Sequence, residues 1–188
     1  MGEFAGKYGP WAVVTGAAQG VGLAFAEALV GRGLSVVMVD LSPKVVDAAA
    51  ALGDESVAKP LIADLADPAW IEALEAATTG MEVGLAVANA GVAFVGRYLD
   101  MDPARRRAIL DVNCVATADL ATWALPAMVE QGRGGFVATS SGSALAGTGG
   151  VALYSATKAF SVNLIEALGW ELADSGIDTL AVVAPTMD

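Results

Sequence analysis

Tyr154 and Lys158 have the types and the spacing of a proton-transfer pair. Residues four positions apart on a helix lie on the same face, about one turn from each other. A phenol with a reference pKa of about 10 must fall by roughly 3 units, or about 4 kcal/mol, to exchange protons near neutral pH. An ammonium group about 4 Å away supplies about that much at an effective dielectric constant near 20. Lys158 can therefore tune Tyr154 as a general acid or base.

Ser141 ends a predicted strand before that helix, so its hydroxyl is a candidate for the same site. Each of the three residues also has an ordinary explanation when it is taken alone. Tyrosine is common at amphipathic boundaries, lysine is usually a solvated side chain, and serine favours turns. Chemistry is favoured only by their combination with the motifs that come earlier in the chain.

The composition excludes several classes of site. The chain has no histidine and a single cysteine, Cys114. A Ser-His-Asp mechanism and histidine-ligated metals are therefore excluded, an intrachain disulfide is impossible, and we expect no metal site. Cys114 lies within a helical pattern, and we expect it in the core.

Length and charge favour a protein that acts on small molecules. With 188 residues, we expect a single domain, residues 1–188, that can bury a substantial core. No apolar run approaches the ~20 residues of a membrane span, and no secretion signal is seen, so we expect a soluble, cytoplasmic protein. The formal charge of −11 would repel nucleic acid and anionic membrane surfaces.

A glycine-rich segment near the amino terminus organises the rest of the chain. Residues 15–22, Thr-Gly-Ala-Ala-Gln-Gly-Val-Gly, lie between an apolar run at 11–14 and an amphipathic segment that begins at Leu23. Such glycines let the main chain approach a ligand closely and leave a helix N-terminus bare, which attracts phosphate. An ordinary strand-to-helix turn is the alternative, because a lone glycine pattern is a weak signal.

Asp40 stands twenty residues beyond Gly20, at the end of the apolar strand predicted for 35–39. Dinucleotide-binding folds have an acid there, against the ribose hydroxyls of adenosine. A helix cap is the alternative role for Asp40. Ser42 and Pro43 already supply the cap and the first helical position, so the helix does not need Asp40 as a cap and its carboxylate is left for another role.

The remaining segments alternate between strand and helix patterns. Further strands are predicted at 57–63, 83–88, 134–139 and 177–184, and helices at 23–30, 68–77, 102–128 and 151–173. This alternation with short turns predicts an α/β fold, a doubly wound, Rossmann-like parallel sheet with helices on both faces. Ligands of such sheets bind at the carboxyl ends of strands, where Asp64 and Asn89 lie. A solvated strand end and turn chemistry are the alternatives for these two residues.

Taken together, these motifs make the sequence resemble the short-chain dehydrogenase/reductase family over nearly its whole length. The matching segments are Thr15-Gly16-x-x-x-Gly20-x-Gly22, Asp64-Leu65, Asn89-Ala90-Gly91, Asn113, Ser141 and Tyr154-x-x-x-Lys158. The resemblance implies an oxidoreductase in which Tyr154 exchanges the proton, Ser141 hydrogen-bonds the carbonyl or alcohol oxygen, and a nicotinamide cofactor carries hydride. It implies Ser141, thirteen residues before Tyr154, rather than Ser140, and Asn113 as part of the proton-relay group.

The resemblance also implies a cofactor site. Its expected residues are Gly16, Gln19, Gly20, Val21, Gly22, Asp40, Asp64, Leu65, Asn89, Ala90, Gly91, Tyr154, Lys158, Pro185 and Thr186. We expect NAD(H), because the Asp40 carboxylate would repel a 2′-phosphate and neither Gln19 nor Leu41 offers a cation. Apolar residues near the reactive end of the cofactor favour a hydrophobic alcohol or ketone as substrate. They are Ala93, Phe94, Ala144, Leu145 and Val151.

The chain departs from the family in one respect, because members continue past the sixth strand into a substrate-covering segment and a seventh strand. The sequence therefore looks C-terminally incomplete, and the specific substrate stays open. Two alternatives remain: a non-catalytic NAD-binding sensor or scaffold, and a related epimerase or dehydratase that shares the Tyr-Lys pair. The helices at 102–128 and 151–173 carry apolar residues beyond one face, including Ile165 and Trp170. We expect these helices to form a homodimer or homotetramer.

Overall fold

The protein is built on a parallel sheet of six strands in the order β3-β2-β1-β4-β5-β6. The description comes from a computed structural model and covers residues 2–184. Pro185 and Thr186, both predicted in the cofactor site, lie outside the described residues. The strands are β1 Trp11–Thr15, β2 Ser35–Asp40, β3 Ala58–Ile62, β4 Val83–Ala88, β5 Gly134–Ser141 and β6 Ile177–Ala184.

Helices cover both faces of this sheet, which confirms the predicted doubly wound, Rossmann-like fold. They are α1 Glu3–Tyr8, α2 Gly20–Gly31, α3 Lys44–Leu52, α4 Trp70–Ala77, α5 Pro103–Leu110, α6 Ala116–Gln131 and α7 Ala152–Glu171. The short α1 had not been predicted. The long helix predicted for 102–128 is interrupted by a π-helical turn at Asp111–Val115.

Two apolar clusters hold the layers together, one on each face of the sheet. The first joins Phe136 of β5 to Leu120 and Met128 of α6 and to Ile165 of α7. The second packs the central strands against α2 and α3 and includes Met38 of β2. Every residue of β4 is buried. Continuous apolar strands are expected where helices cover both faces of a parallel sheet.

The strand order reverses between β1 and β4, because the chain runs outward through β2 and β3 before it returns to the centre. Loops that leave the carboxyl ends of β1 and β4 diverge at this point and open a crevice, where ligands of such sheets bind. The fold therefore brings the glycine-rich segment after β1 beside Asn89 after β4.

Helix α7 faces the sheet differently from the prediction. Ile165 was expected among the residues that spread beyond the core-facing side, but it is 2% exposed and lies in the core. Trp170 is 84% exposed. The first turns of the buried face are polar, since Ser155, Thr157 and Lys158 are all buried there. Assignment of that face by apolar residues alone was therefore wrong.

One helical stretch within residues 2–184, 103–131, is long and apolar enough to cross a membrane by length and composition alone. Its most apolar window is 44% buried inside the protein, and core helices pass the same test. The finding is weak evidence for a membrane span.

Helix α1 is fastened to the sheet by charged side chains. The Arg133 guanidinium donates hydrogen bonds to the carbonyl oxygens of Gly6, Lys7 and Gly9, at 3.2, 3.2 and 2.8 Å, and also pairs with Glu82. These bonds satisfy carbonyl groups that a helix end leaves without partners. Lys7 and Tyr8 hydrogen-bond Asp178 on β6, and these bonds hold the pKa of the Asp178 carboxyl below its usual value.

We predict that Arg133→Ala lowers the free energy of unfolding by about 2 kcal/mol, because several carbonyl groups lose a charged donor. Chemical denaturation measures the effect. Arg97→Ala is the matched control: Arg97 pairs with Asp100 three positions along the chain, and their side chains are 79% and 63% exposed. Removal of such an exposed pair should leave stability nearly unchanged. Equal effects of the two substitutions would contradict the anchoring role of Arg133.

Candidate active site

The glycine-rich segment makes a close contact that only glycine permits. A Cβ atom built on Gly22 would lie 2.0 Å from the Gly16 carbonyl oxygen and 2.6 Å from Nδ2 of Asn89. Gly16 itself has φ of +67°, which disfavours other residues. The start of α2 therefore packs directly against the ends of β1 and β4.

Thr15 and Asn89 tie these two strand ends together. Oγ1 of Thr15 accepts the backbone N–H groups of Asn89 and Ala90, at 3.0 and 3.2 Å, and donates to the Val87 carbonyl at 3.3 Å. Nδ2 of Asn89 donates to the carbonyl oxygens of Thr15 and Gly16, at 3.0 and 3.3 Å. The sequence analysis quoted Thr15 only as part of its motif, and the structure gives it a definite role at the crevice.

The Asp40 carboxylate is not free of backbone hydrogen bonds, contrary to the prediction. It accepts the backbone N–H of Ala18 at 2.9 Å and that of Ser42 at 2.8 Å. Pro43 is the N-cap of α3 without a side-chain capping bond, and Ser42 only accepts the Lys44 N–H at 3.3 Å. Asp40 thus fixes the glycine-rich turn and orients its own carboxylate at the same time.

A cavity of about 380 Å³ lies at the carboxyl ends of β1, β2 and β4. It brings together nine of the residues predicted to contact the cofactor. They are Gly16, Gln19, Gly20, Asp40, Asp64, Leu65, Asn89, Ala90 and Gly91. Leu41, Val92 and Val112 complete the lining, and none of the described lining residues is Lys or Arg. Gly22 is absent from the lining, because it serves the packing of α2 instead.

A second cleft of about 870 Å³ adjoins this cavity and shares Asn89 and Gly91 with it. Its lining includes the predicted residues Val21, Ser141, Tyr154 and Lys158. Of the five apolar residues predicted near the reactive end, Ala93 and Val151 line the cleft. Phe94, Ala144 and Leu145 are not among its lining residues, and Leu145 is 74% exposed.

The two neighbouring serines have different environments. Ser140 is buried, and its hydroxyl donates to the Lys158 carbonyl oxygen at 2.7 Å. Ser141 is less buried, and its Oγ accepts the backbone N–H of Ser143 at 3.3 Å. Within residues 2–184 this hydroxyl accepts a hydrogen bond and donates none, so its proton is available to another partner. Ser141 is therefore the better donor toward the cleft.

Lys158 is buried with its Nζ 5.8 Å from the centre of the Tyr154 ring. Nζ donates to the Thr139 carbonyl oxygen at 2.8 Å. Burial lowers the pKa of the Lys158 ammonium, and the charge interaction with nearby Cys114 opposes this. Burial raises the pKa of the Cys114 thiol, which is half-buried rather than in the core as predicted.

Asn113 lies in the π-helical turn and is 2% exposed. Its Oδ1 accepts the Val92 N–H at 2.8 Å, and its Nδ2 donates to the Val92 carbonyl and to Oγ1 of Thr157, both at 2.9 Å. The side chain therefore bridges the loop after β4 and helix α7. A π-helical turn often marks a functional position in a helix.

The arrangement suits a dinucleotide with a nicotinamide end. Gln19 precedes α2 without a side-chain capping bond, so the first N–H groups of this helix can receive phosphate. Asp40 lies in the smaller cavity, where it can accept ribose hydroxyls. The larger cleft holds hydroxyl, phenol and ammonium groups, which can bind and protonate a carbonyl oxygen.

Comparison with known proteins agrees with this geometry. The family profile described as short chain dehydrogenase matches residues 10–188. Oxidoreductase UcpA of Escherichia coli (strain K12) is 33% identical over 189 residues, which cover 97% of this chain and 70% of that protein. Inactive hydroxysteroid dehydrogenase-like protein 1 of Homo sapiens is 32% identical over 177 residues, which cover 91% of this chain. The chain spans about half, 54%, of the length of that human protein.

A solved structure extends the likeness to the fold. The short-chain dehydrogenase from Sphingobium yanoikuyae in complex with NADPH superposes with a TM-score of 0.89 at 32% identity. The superposition covers 95% of this chain and 72% of that one.

Proposed function

Because the chain belongs to the short-chain dehydrogenase/reductase family, we propose that it is an oxidoreductase for alcohols and ketones with Tyr154 as the general acid or base. The observation that carries this proposal is the pair formed by the smaller cavity and the larger cleft that adjoins it. One holds nine predicted cofactor residues, and the other holds Ser141, Tyr154 and Lys158. A bound nicotinamide supplies hydride transfer.

The side chains of the larger cleft have separate tasks. Ser141 donates a hydrogen bond to the reacting oxygen and holds it near the phenol of Tyr154. Tyr154 gives its proton to that oxygen in reduction and takes it in oxidation. The Lys158 ammonium stabilises the tyrosinate that is left. Its bond to the Thr139 carbonyl oxygen, at 2.8 Å, ties it to β5.

NAD(H) is the proposed cofactor. Asp40 and Asp64 both line the smaller cavity, and none of its described lining residues carries a positive charge. A 2′-phosphate would therefore meet carboxylates without a cation to offset them. The Sphingobium yanoikuyae protein binds NADPH, so family membership alone does not decide between the two cofactors.

A hydrophobic secondary alcohol or ketone is the proposed substrate class. Ala93, Val95 and Val151 give the cleft apolar walls, while Ser143 and Thr148 add uncharged polar groups. Lys158 is the one cation among the described lining residues, and it is committed to Thr139 and Tyr154. An anionic substrate would have no free partner there.

A non-catalytic NAD-binding sensor is the second candidate. It is favoured by the human relative at 32% identity, whose name says that it is inactive. Both candidate functions use the cofactor cavity. They differ only in whether the protein, with Tyr154 as general acid or base, turns over a substrate.

A homodimer or homotetramer is the proposed assembly. Apolar side chains stand exposed on the outer sides of α6 and α7, among them Val129 at 42%, Phe160 at 37% and Trp170 at 84%. Soluble proteins seldom leave such patches uncovered, and two-fold pairing of one patch with itself is the commonest solution.

We predict that Tyr154→Phe lowers turnover by about a hundredfold to ten-thousandfold, because only the transferable proton is lost. Affinity for NADH, measured by fluorescence, should stay near that of the wild type. The assay follows cofactor absorbance with a panel of alcohols and ketones across pH. Tyr98→Phe is the control, since Tyr98 is 46% exposed on a turn and lines neither the smaller cavity nor the larger cleft.

Normal turnover in Tyr154→Phe would reject the catalytic assignment. Tight NADH binding without turnover of any substrate by the wild type would favour the sensor.

The cofactor preference is tested with Asp40→Asn, which removes the charge and one of the two backbone hydrogen bonds that Asp40 accepts. The readout is therefore the difference between the NADH and NADPH affinities, since the lost bond affects both cofactors. We expect wild type to bind NADH more tightly than NADPH, and the substitution to narrow that gap by about 1 to 4 kcal/mol. Calorimetric titration of both cofactors measures it. Asp64→Asn is the control in the same cavity and should change the gap less, because Asp64 is exposed to solvent. Tighter NADPH binding by wild type would overturn the preference.

Trp170→Glu should dissociate the assembly, because it puts a charge into the proposed apolar contact. Sedimentation velocity at micromolar concentration measures the change. Val46→Glu is the control on α3, where an apolar side chain is 44% exposed on the other face of the sheet. Ile165→Glu would not serve, since Ile165 is in the core. A monomeric wild type would reject the assembly.

A further inference from the structure

Thr157 stands between Tyr154 and Lys158 on α7 and is 1% exposed. Its hydroxyl donates to the Tyr154 carbonyl oxygen at 2.8 Å and accepts a hydrogen bond from Nδ2 of Asn113 at 2.9 Å. The mechanism proposed above gives this hydroxyl no task.

We propose that Thr157 is a positioning residue, which locks the turn of α7 that carries Tyr154 and Lys158 to the π-helical turn that carries Asn113. The inference rests on the proposed function, because it assigns Thr157 to the same reaction. Thr157 acts through Asn113 and Tyr154 and does not itself touch the reacting atoms.

The hydrogen bonds form one continuous path across the site. Val92 exchanges two backbone bonds with the Asn113 amide, Asn113 donates to Thr157, and Thr157 donates to the Tyr154 carbonyl. The first residue of this path lines the smaller cavity, and the last lines the larger cleft. Both N–H groups of Asn113 are used, so loss of the Thr157 hydroxyl leaves a buried donor unpaired.

A threonine on a helix commonly bonds a carbonyl of its own helix, and this alone would be a local structural role. Thr122 does so on α6, where its exposed hydroxyl donates to the Ala118 carbonyl at 2.9 Å. Thr157 differs because it is buried and has a second partner on another element. That partner is what converts a local bond into a link between helices.

The opposite side of the same α7 turn is already fixed to β5. Ser140 donates to the Lys158 carbonyl at 2.7 Å, and the Lys158 ammonium donates to the Thr139 carbonyl at 2.8 Å. These bonds hold the turn from the side of β5. The link through Thr157 holds it on the other side, and thereby sets where Lys158 lies relative to Gly91, whose added Cβ would be 3.1 Å from Nζ.

The experiment compares wild type with Thr157→Val, Thr157→Ser and the matched control Thr122→Val. Valine keeps the shape of threonine and removes the hydroxyl, whereas serine keeps the hydroxyl. We expect Thr157→Val to lower kcat between about tenfold and a hundredfold, as small displacements of reacting groups do. KM should change far less than kcat. The melting temperature of Thr157→Val should fall by a few degrees, because the buried Asn113 donor is left unpaired. Thr157→Ser and Thr122→Val should behave like wild type.

Two pH measurements separate positioning from simple destabilisation. In Thr157→Val, the acidic limb of kcat/KM for alcohol oxidation should move to higher pH, because a displaced ammonium stabilises the tyrosinate less. The tyrosinate absorbance that is lost on Tyr154→Phe should likewise develop at higher pH, and this readout needs no turnover. The inference would be overturned if neither the acidic limb of kcat/KM nor the pH at which tyrosinate absorbance develops moved in Thr157→Val. It would also be overturned if Thr157→Ser were as impaired as Thr157→Val.

These outcomes separate the inference from the proposed function. If the wild type turned over no substrate while the tyrosinate absorbance still moved in Thr157→Val, the proposed function would fail and the positioning role would stand. If the wild type were active and neither pH readout moved in Thr157→Val, the positioning role would fail and the proposed function would stand.

Discussion

The site depends on the contact between the start of α2 and the carboxyl ends of β1 and β4. Because Gly22 has no side chain, the Gly16 carbonyl and the Asn89 amide can occupy the space where a Cβ would lie. Asn89 and Thr15 then close the strand ends with four hydrogen bonds between them and their neighbours. Any side chain at position 22 would displace α2 from the strand ends and change the shape of the cofactor cavity beside them.

The buried ammonium of Lys158 opposes folding at neutral pH. Its pKa is lowered by burial, so the unfolded chain binds that proton more tightly. The penalty is fully present below the lowered pKa and disappears as pH rises through the ordinary value of 10.5. The bonds from Nζ to the Thr139 carbonyl and from Ser140 to the Lys158 carbonyl offset part of it. Retention of such a residue in the core is understandable if its charge is needed for chemistry.

Periodicity was sufficient to predict the alternating order of strands and helices, and the turn motifs pointed to the carboxyl ends of the strands as the place where a ligand binds. The family resemblance supplied the expected cofactor residues, nine of which line the smaller cavity. These signals failed where two distant residues share one bond. The Ala18 N–H that Asp40 accepts lies 22 positions away, and Asn113 reaches Thr157 across 44. Apolar spacing also assigned Ile165 to the wrong side of α7, because the buried side of that helix begins with polar residues. No local pattern reports such partners.

Helix α7 is held by two kinds of force along its length. Its later turns are anchored by Ile165 and Leu168 in the apolar core, where packing is strong but has little direction. Its first turns are held by the hydroxyls of Ser140 and Thr157 and by the Lys158 ammonium. Hydrogen bonds fix both distance and angle. Directional bonds are therefore concentrated where Tyr154 must meet a reacting oxygen, and apolar packing suffices where the helix only needs to stay on the sheet.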